Sequence, residues 1–134
     1  YNPHVNRPYD KGGYVPEESP LIGVERLLNA AGEIQRKYPD ITIVGTGYSW
    51  LRHLSPYVAA GSIESGKAKI IGFGREAFAY PDFAKDIVIN GRLKKEKCCL
   101  SCGKCTELMR AHSTAGCVIR DKDIYGKLYR EVCL

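Results

Sequence analysis

The sequence predicts an α/β chain in which helices alternate with short parallel strands and a cysteine-rich segment follows. Three observations carry this reading. Apolar residues recur at helical spacing after Ser19-Pro20, two short apolar runs at 41–44 and 69–71 each end in a glycine turn, and all six cysteines lie beyond residue 97. At 134 residues the chain is one domain at most and can bury a modest core.

Residues 1–20 read as loop, with Pro3, Pro8, Pro16 and Pro20 and the pair Gly12-Gly13 but no period. Ser19-Pro20 has the form of a helix start, since serine can accept from orphan amides and proline tolerates the first helical position. Val24, Leu27, Leu28, Ala31 and Ile34 then form one apolar stripe, and Tyr38-Pro39-Asp40 ends the helix. The run 41–44 predicts a buried strand closed by Gly45-Thr46-Gly47. A helix over about 50–60 is predicted next, with Leu51, Leu54 and Val58 inward, Gly61 past its end and Pro56 as a break or restart. Lys69-Ile70-Ile71 predicts the second strand, closed by Gly72-Phe73-Gly74-Arg75. The last helix spans about 81–90, with Phe83, Ile87 and Val88 inward and Gly91 as its C-cap. Strand, helix, strand makes the two strands parallel neighbours with a right-handed crossover. Two strands cannot form a parallel sheet buried on both faces. The sheet therefore belongs to a longer barrel or open sheet, or other chains complete it.

Apolar content of 44% and charged content of 26% are ordinary for a globular protein. No stretch approaches the roughly 18 apolar residues of a membrane span, and no secretory signal pattern opens the chain at Tyr1. The net charge is +5, from 20 basic and 15 acidic residues. Arg92, Lys94, Lys95 and Lys97 cluster ahead of the cysteines. They read as a solvated surface or as counter-charges to an anionic centre, without the broad basic stripe that nucleic acid requires. Neither a nucleic acid nor a membrane is therefore an expected partner.

Disulfide frameworks staple distant parts of small secreted chains. Here four cysteines fall within eight residues, 98–105, which favours metal ligation in a reducing, cytoplasmic setting. Cys99, Cys102 and Cys105 form C-x2-C-x2-C, and Cys117 follows. Thiolates are soft ligands for iron–sulfide clusters or zinc. Three at three-residue steps with a distant fourth suit a cuboidal cluster, whereas zinc more often takes two separated CxxC pairs. Cys98 offers a competing frame, His112 a possible replacement ligand, and Cys133 has no partner at motif spacing.

The glycine turns 45–47 and 72–75 bring backbone amides to strand ends, where a phosphate can approach closely. Arg75 adds a fork-shaped cation. Two adjacent strands with such turns have the phosphate-site layout of many (β/α)8 barrels, in which the last two βα loops hold phosphate. A plain turn is the competing reading for each.

Together these stretches resemble the C-terminal part of the old yellow enzyme family of flavin oxidoreductases. The resemblance rests on Tyr1-Asn2-Pro3-His4, Val44-Gly45-Thr46-Gly47, Ile70-Ile71-Gly72-Phe73-Gly74-Arg75, Ala79-Tyr80-Pro81-Asp82-Phe83, and Cys99 to Cys105 with Cys117. The chain is most similar to the iron–sulfur branch that includes 2,4-dienoyl-CoA reductase and trimethylamine dehydrogenase. The resemblance implies the last two βα units of a (β/α)8 barrel over residues 1–93, then an iron–sulfur loop and tail over 94–134. It implies FMN held by Gly45, Thr46, Gly47, Gly74 and Arg75, and a [4Fe–4S] cluster on Cys99, Cys102, Cys105 and Cys117. NAD(P)H would be the reductant and a small molecule with an activated double bond the substrate. His4 and Arg7 fall in a loop bordering the substrate pocket, where surface positions are the plainer reading. The first six strands, with the residues that contact the flavin ring and protonate substrate, are not in this sequence. The chain is thus expected to be a piece of a longer enzyme, inactive alone, its catalytic residues unknown. It would be completed by the rest of the barrel or another chain, with a homo-oligomer also open. A stand-alone iron–sulfur electron carrier and a zinc-bearing structural module are the alternatives.

Overall fold

The computed structural model describes residues 17–134; His4, Arg7 and the loop that contains them lie outside the described residues. Helix α1 (Pro20–Lys37) begins with proline in its first turn, as predicted, but Ser19 caps through its backbone rather than its side chain. Val24 and Leu28 are buried, while Ile34, assigned to the apolar stripe, is exposed. Gln35 is buried in its place. Its amide donates to Ile41 O at 2.8 Å and its Oε1 accepts from Ile43 N at 3.0 Å, so one side chain organises the turn from α1 toward the first strand.

That strand, β1 (Val44–Gly45), is shorter than the predicted run, and it pairs in parallel with β2 (Ile70–Ile71), Val44 opposite Ile70 and Gly45 opposite Ile71. The expected full burial does not occur among the described residues. Val44 is 49% and Ile70 51% exposed, because two strands alone leave one face and both edges uncovered.

Between the strands a 3-10 helix (Tyr48–Leu54) runs into α2 (Ser55–Glu64), with Pro56 in the first turn of α2. Proline starts this helix instead of breaking it, as its fixed φ allows at that position. Of the predicted inward face only Leu51 packs against the core. Leu54 and Val58 are exposed, and Ser55, Ala59 and Ser62 are buried, a helical set of small residues that lets α2 approach closely. Gly61 lies inside α2, and Gly66, at φ 67°, is the glycine past its end.

After β2 comes α3 (Arg75–Ala79), a short helix that sequence periodicity missed, then α4 (Phe83–Asn90), closed by Gly91 at φ 63° as predicted. Phe83 and Ile87 are half-buried, but Val88, predicted inward, is 84% exposed. The cysteine segment contains α5 (Lys104–Arg110), a π turn (Lys122–Gly126) and α6 (Lys127–Val132).

Three small cores form among the described residues. Val24, Leu28, Tyr48 and Ala59 form one, Tyr80, Leu93 and Cys98 the second, and Leu108, Val118 and Tyr129 the third. Phe73 joins the first two, its ring 6.0 Å from that of Tyr48 and 5.1 Å from that of Phe83. Leu93 and Cys98 share the second core, so burial is continuous across the expected boundary at residue 93. No described helix is long and apolar enough to cross a membrane.

Leu28→Ala is expected to cost about 2–5 kcal/mol in denaturant unfolding, against a change within about 0.5 kcal/mol for Val88→Ala. The buried Tyr80 hydroxyl donates to Asp86. Burial, then that hydrogen bond, push the tyrosine from its ordinary 10.0 up to about 12, and the same bond holds Asp86 below the usual carboxylate range. A group whose pKa rises on folding contributes stability that is complete below its unfolded value and lost as pH climbs through the folded one. The unfolding midpoint should therefore fall between pH 10 and about 12, and Tyr80→Phe should remove that part of the fall.

Candidate metal centre

Two residues with left-handed backbone set the path of the C-x2-C-x2-C run, Ser101 at φ 55° and Gly103 at φ 75°, and His112 at φ 54° follows before Cys117. The first two reverse the chain between successive cysteines, so the C-x2-C-x2-C run curls instead of extending. Gly103 also starts α5, which puts Cys105 in that helix's first turn. Cys117 follows Gly116, which packs beside Tyr125 on the third core. A Cβ at Gly116 would stand 2.2 Å from the Tyr125 ring, so only glycine lets the chain pass this aromatic wall.

The result is one cavity lined by Cys99, Cys102, Cys105 and Cys117, together with Arg75 and Arg120. The four ligand candidates of the sequence are brought together. Among the described residues, however, no three His, Cys, Asp or Glu side chains converge closely enough to hold a single metal ion. The cysteines surround a space without meeting at a point. Cys99 is buried, the other three half-buried.

Burial pushes the Cys99 thiol up, with the Ser101 amide and the Arg75 charge pulling it partly back. Ser101 N–H donates to Cys99 Sγ at 3.3 Å. Burial likewise raises Cys105, against the Thr106 hydroxyl and Arg75. Ligation needs the thiolates, so a metal bound by these cysteines would release protons and bind more tightly as pH rises.

Cys98, the competing frame, lies outside the cavity wall. It is fully buried in the second core, its thiol donates to Lys94 O at 3.3 Å, and burial followed by the charge of Glu76 pushes it up to about 12. His112 is exposed and absent from the cavity wall. Cys133 packs against the third core.

The glycine turns separate into positions with and without an internal reason for glycine. Gly72 N donates to Gly45 O at 2.7 Å. A Cβ on either would press to about 3.0 Å on neighbouring side chains, so close strand packing accounts for both. Gly47 sits at φ 102°, which disfavours any L side chain. Gly74 has neither constraint. Its φ is −80° and an added Cβ would meet nothing within 4 Å. Gly74 and Thr46 are exposed on their adjacent turns, whereas Arg75 turns to the cysteine cavity.

Sequence reasoning missed Glu76 and Arg120. Glu76 is buried and its Oε2 accepts from Cys99 N at 3.0 Å; Arg120 donates to Cys98 O at 2.7 Å. No local pattern marks either residue, since both act across long stretches of chain.

Gly116→Ala is expected to cost about 1–3 kcal/mol, the range for overpacking, because Tyr125 or the Cys117 backbone must move. Gly61→Ala, where a Cβ meets nothing within 4 Å, is its control and should be neutral or slightly stabilising in denaturant unfolding. No family model, curated protein or solved structure matches the chain.

Proposed function

We propose that the chain is the C-terminal part of an FMN- and [4Fe–4S]-dependent NAD(P)H:flavin oxidoreductase that reduces activated carbon–carbon double bonds. The observation that carries this reading is the cavity walled by Cys99, Cys102, Cys105 and Cys117. Four thiolates around a polynuclear cluster each take a different metal and so stand apart, whereas a structural zinc draws all its ligands to one point. Three cysteines at three-residue steps with a distant fourth, rather than two separated CxxC pairs, favour the cluster over the zinc module.

Arg75 and Arg120 line the same cavity and offset the negative charge of four thiolates. The Ser101 N–H bond to Cys99 Sγ is the kind of contact that tunes a cluster's potential. Thr46 and Gly74 are exposed at the ends of two parallel strands, the location at which barrels of this type hold a phosphate. The open space at Gly74 leaves room for a phosphate oxygen to approach the main chain. Half-exposed Val44 and Ile70 on a two-stranded parallel sheet support further strands beside them. The chemistry that such groups supply is hydride transfer by flavin and one-electron relay by the cluster. This chain's contribution is to hold, orient and electrostatically balance them, and the groups that act on substrate belong to the rest of the barrel.

The test is iron, acid-labile sulfide, zinc and flavin content of the anaerobically purified protein in its longest available form. About four iron and four sulfide with one FMN per chain is the expected result. The same cluster without flavin would point to a stand-alone electron carrier, and about one zinc with no iron would overturn the reading.

A further inference from the structure

We propose that Glu76 and Arg120 are positioning residues that clamp the peptide group between Cys98 and Cys99 from its two ends, fixing the first cysteine of the metal set. The consequence for a bound cluster rests on the iron–sulfur reading; the clamp itself does not.

The Cys98 carbonyl and the Cys99 N–H belong to one planar peptide unit. Its N–H donates to Glu76 Oε2 at 3.0 Å and its carbonyl accepts from Arg120 Nη2 at 2.7 Å. Both bonds have one partner of ionisable type, the class of hydrogen bond roughly twice as strong as neutral pairs when that partner is charged. Glu76 comes from the first turn of α3, just past β2, and Arg120 stands three residues beyond Cys117. One peptide group therefore ties the turn that carries Gly74 and Arg75 to both the beginning and the end of the cysteine set.

A glutamate is a costly choice for this position if packing alone is required. It is 0% exposed, and burial works against its charge despite the Cys99 amide and the Cys98 thiol beside it. An apolar side chain of similar size would fill the space without that desolvation cost. What glutamate adds is an acceptor for Cys99 N–H. The clamp thus fixes the backbone from which the first thiol projects, and the Ser101 N–H separately donates to that sulfur.

The test uses the full chain, loaded with iron and sulfide under anaerobic conditions and challenged with an iron chelator. Glu76→Ala should release iron about 10- to 100-fold faster than the parent, the usual penalty for losing an outer partner of a metal ligand. Glu76→Gln, which keeps an acceptor oxygen, should stay close to the parent rate, a rescue that loss of packing would not give. Arg120 is exposed, so Arg120→Ala spares the core and should also speed release. The double alanine variant should be no faster than the faster single one, because the two residues act as a unit. Parent-like release from both single alanine variants would overturn the proposal. Hydrogen exchange at the Cys99 amide in the metal-free chain reads the clamp independently. Slow exchange in the parent and fast exchange in Glu76→Ala supports it, and equal exchange in the two overturns it. A parent that takes up no iron would sink the cluster reading and leave the exchange result to decide the clamp.

Discussion

A backbone amide withdrawn from water must find a partner, and the peptide group ahead of Cys99 finds one for each of its polar ends. Much of the molecule is arranged around that requirement. Glu76 can reach the N–H only because β2 ends at Ile71 and α3 begins at Arg75, and that order depends on the parallel pairing with β1. Arg120 can reach the carbonyl only because the third core holds the chain after Cys117, with Val118 buried between Leu108 and Tyr129. The strand unit and the cysteine segment are thus joined by polar contacts at a buried point, in addition to the apolar contact of Tyr80, Leu93 and Cys98.

Electrostatics run in the same direction. Residues 92–134 carry ten basic and five acidic side chains, which accounts for the whole net charge of +5. Part of that excess is tied down locally. Lys97 lies over the Tyr80 ring and Lys104 over the Tyr129 ring, while Arg120 is committed to Cys98 O. A segment that gathers four thiols gains from such a surplus when the thiols ionise, because each thiolate otherwise adds uncompensated negative charge at a half-buried site. The raised Cys99 and Cys105 thiols express the same balance in the metal-free chain, where burial outweighs the Arg75 charge.

Features set by near neighbours in the chain were legible in the sequence. Pro20 starts α1, Gly91 ends α4 in a left-handed cap, and the C-x2-C-x2-C run with Cys117 lines one cavity. Features set by long-range burial were not. Hydrophobicity points to Leu54, just ahead of α2, and to Val58 on it, yet the buried face of α2 is Ser55, Ala59 and Ser62, because close packing of a helix selects small residues over greasy ones. Gln35 displaces Ile34 from the interior because the turn after α1 has backbone groups that only a side-chain amide can satisfy from both sides. Glu76 and Arg120 are illegible for the same reason, their partners being 23 and 22 residues away.

The glycines give the sharpest separation between structure and purpose. Gly45, Gly72 and Gly116 are fixed by neighbours that a methyl group would strike, and Gly47 by its backbone angle. Gly74 is fixed by nothing inside the described residues, and it stands exposed at the end of β2. The next residue, Arg75, lines the cysteine cavity, and the one after that, Glu76, holds the Cys98–Cys99 peptide. Three consecutive residues thus face a strand-end opening, the thiol cavity and a buried backbone group. The β2 turn and Cys99 are linked through the Glu76 hydrogen bond to the Cys99 amide. The turn and the cysteine set are therefore one mechanical unit, built from two parts of the chain that neither alone could hold in register.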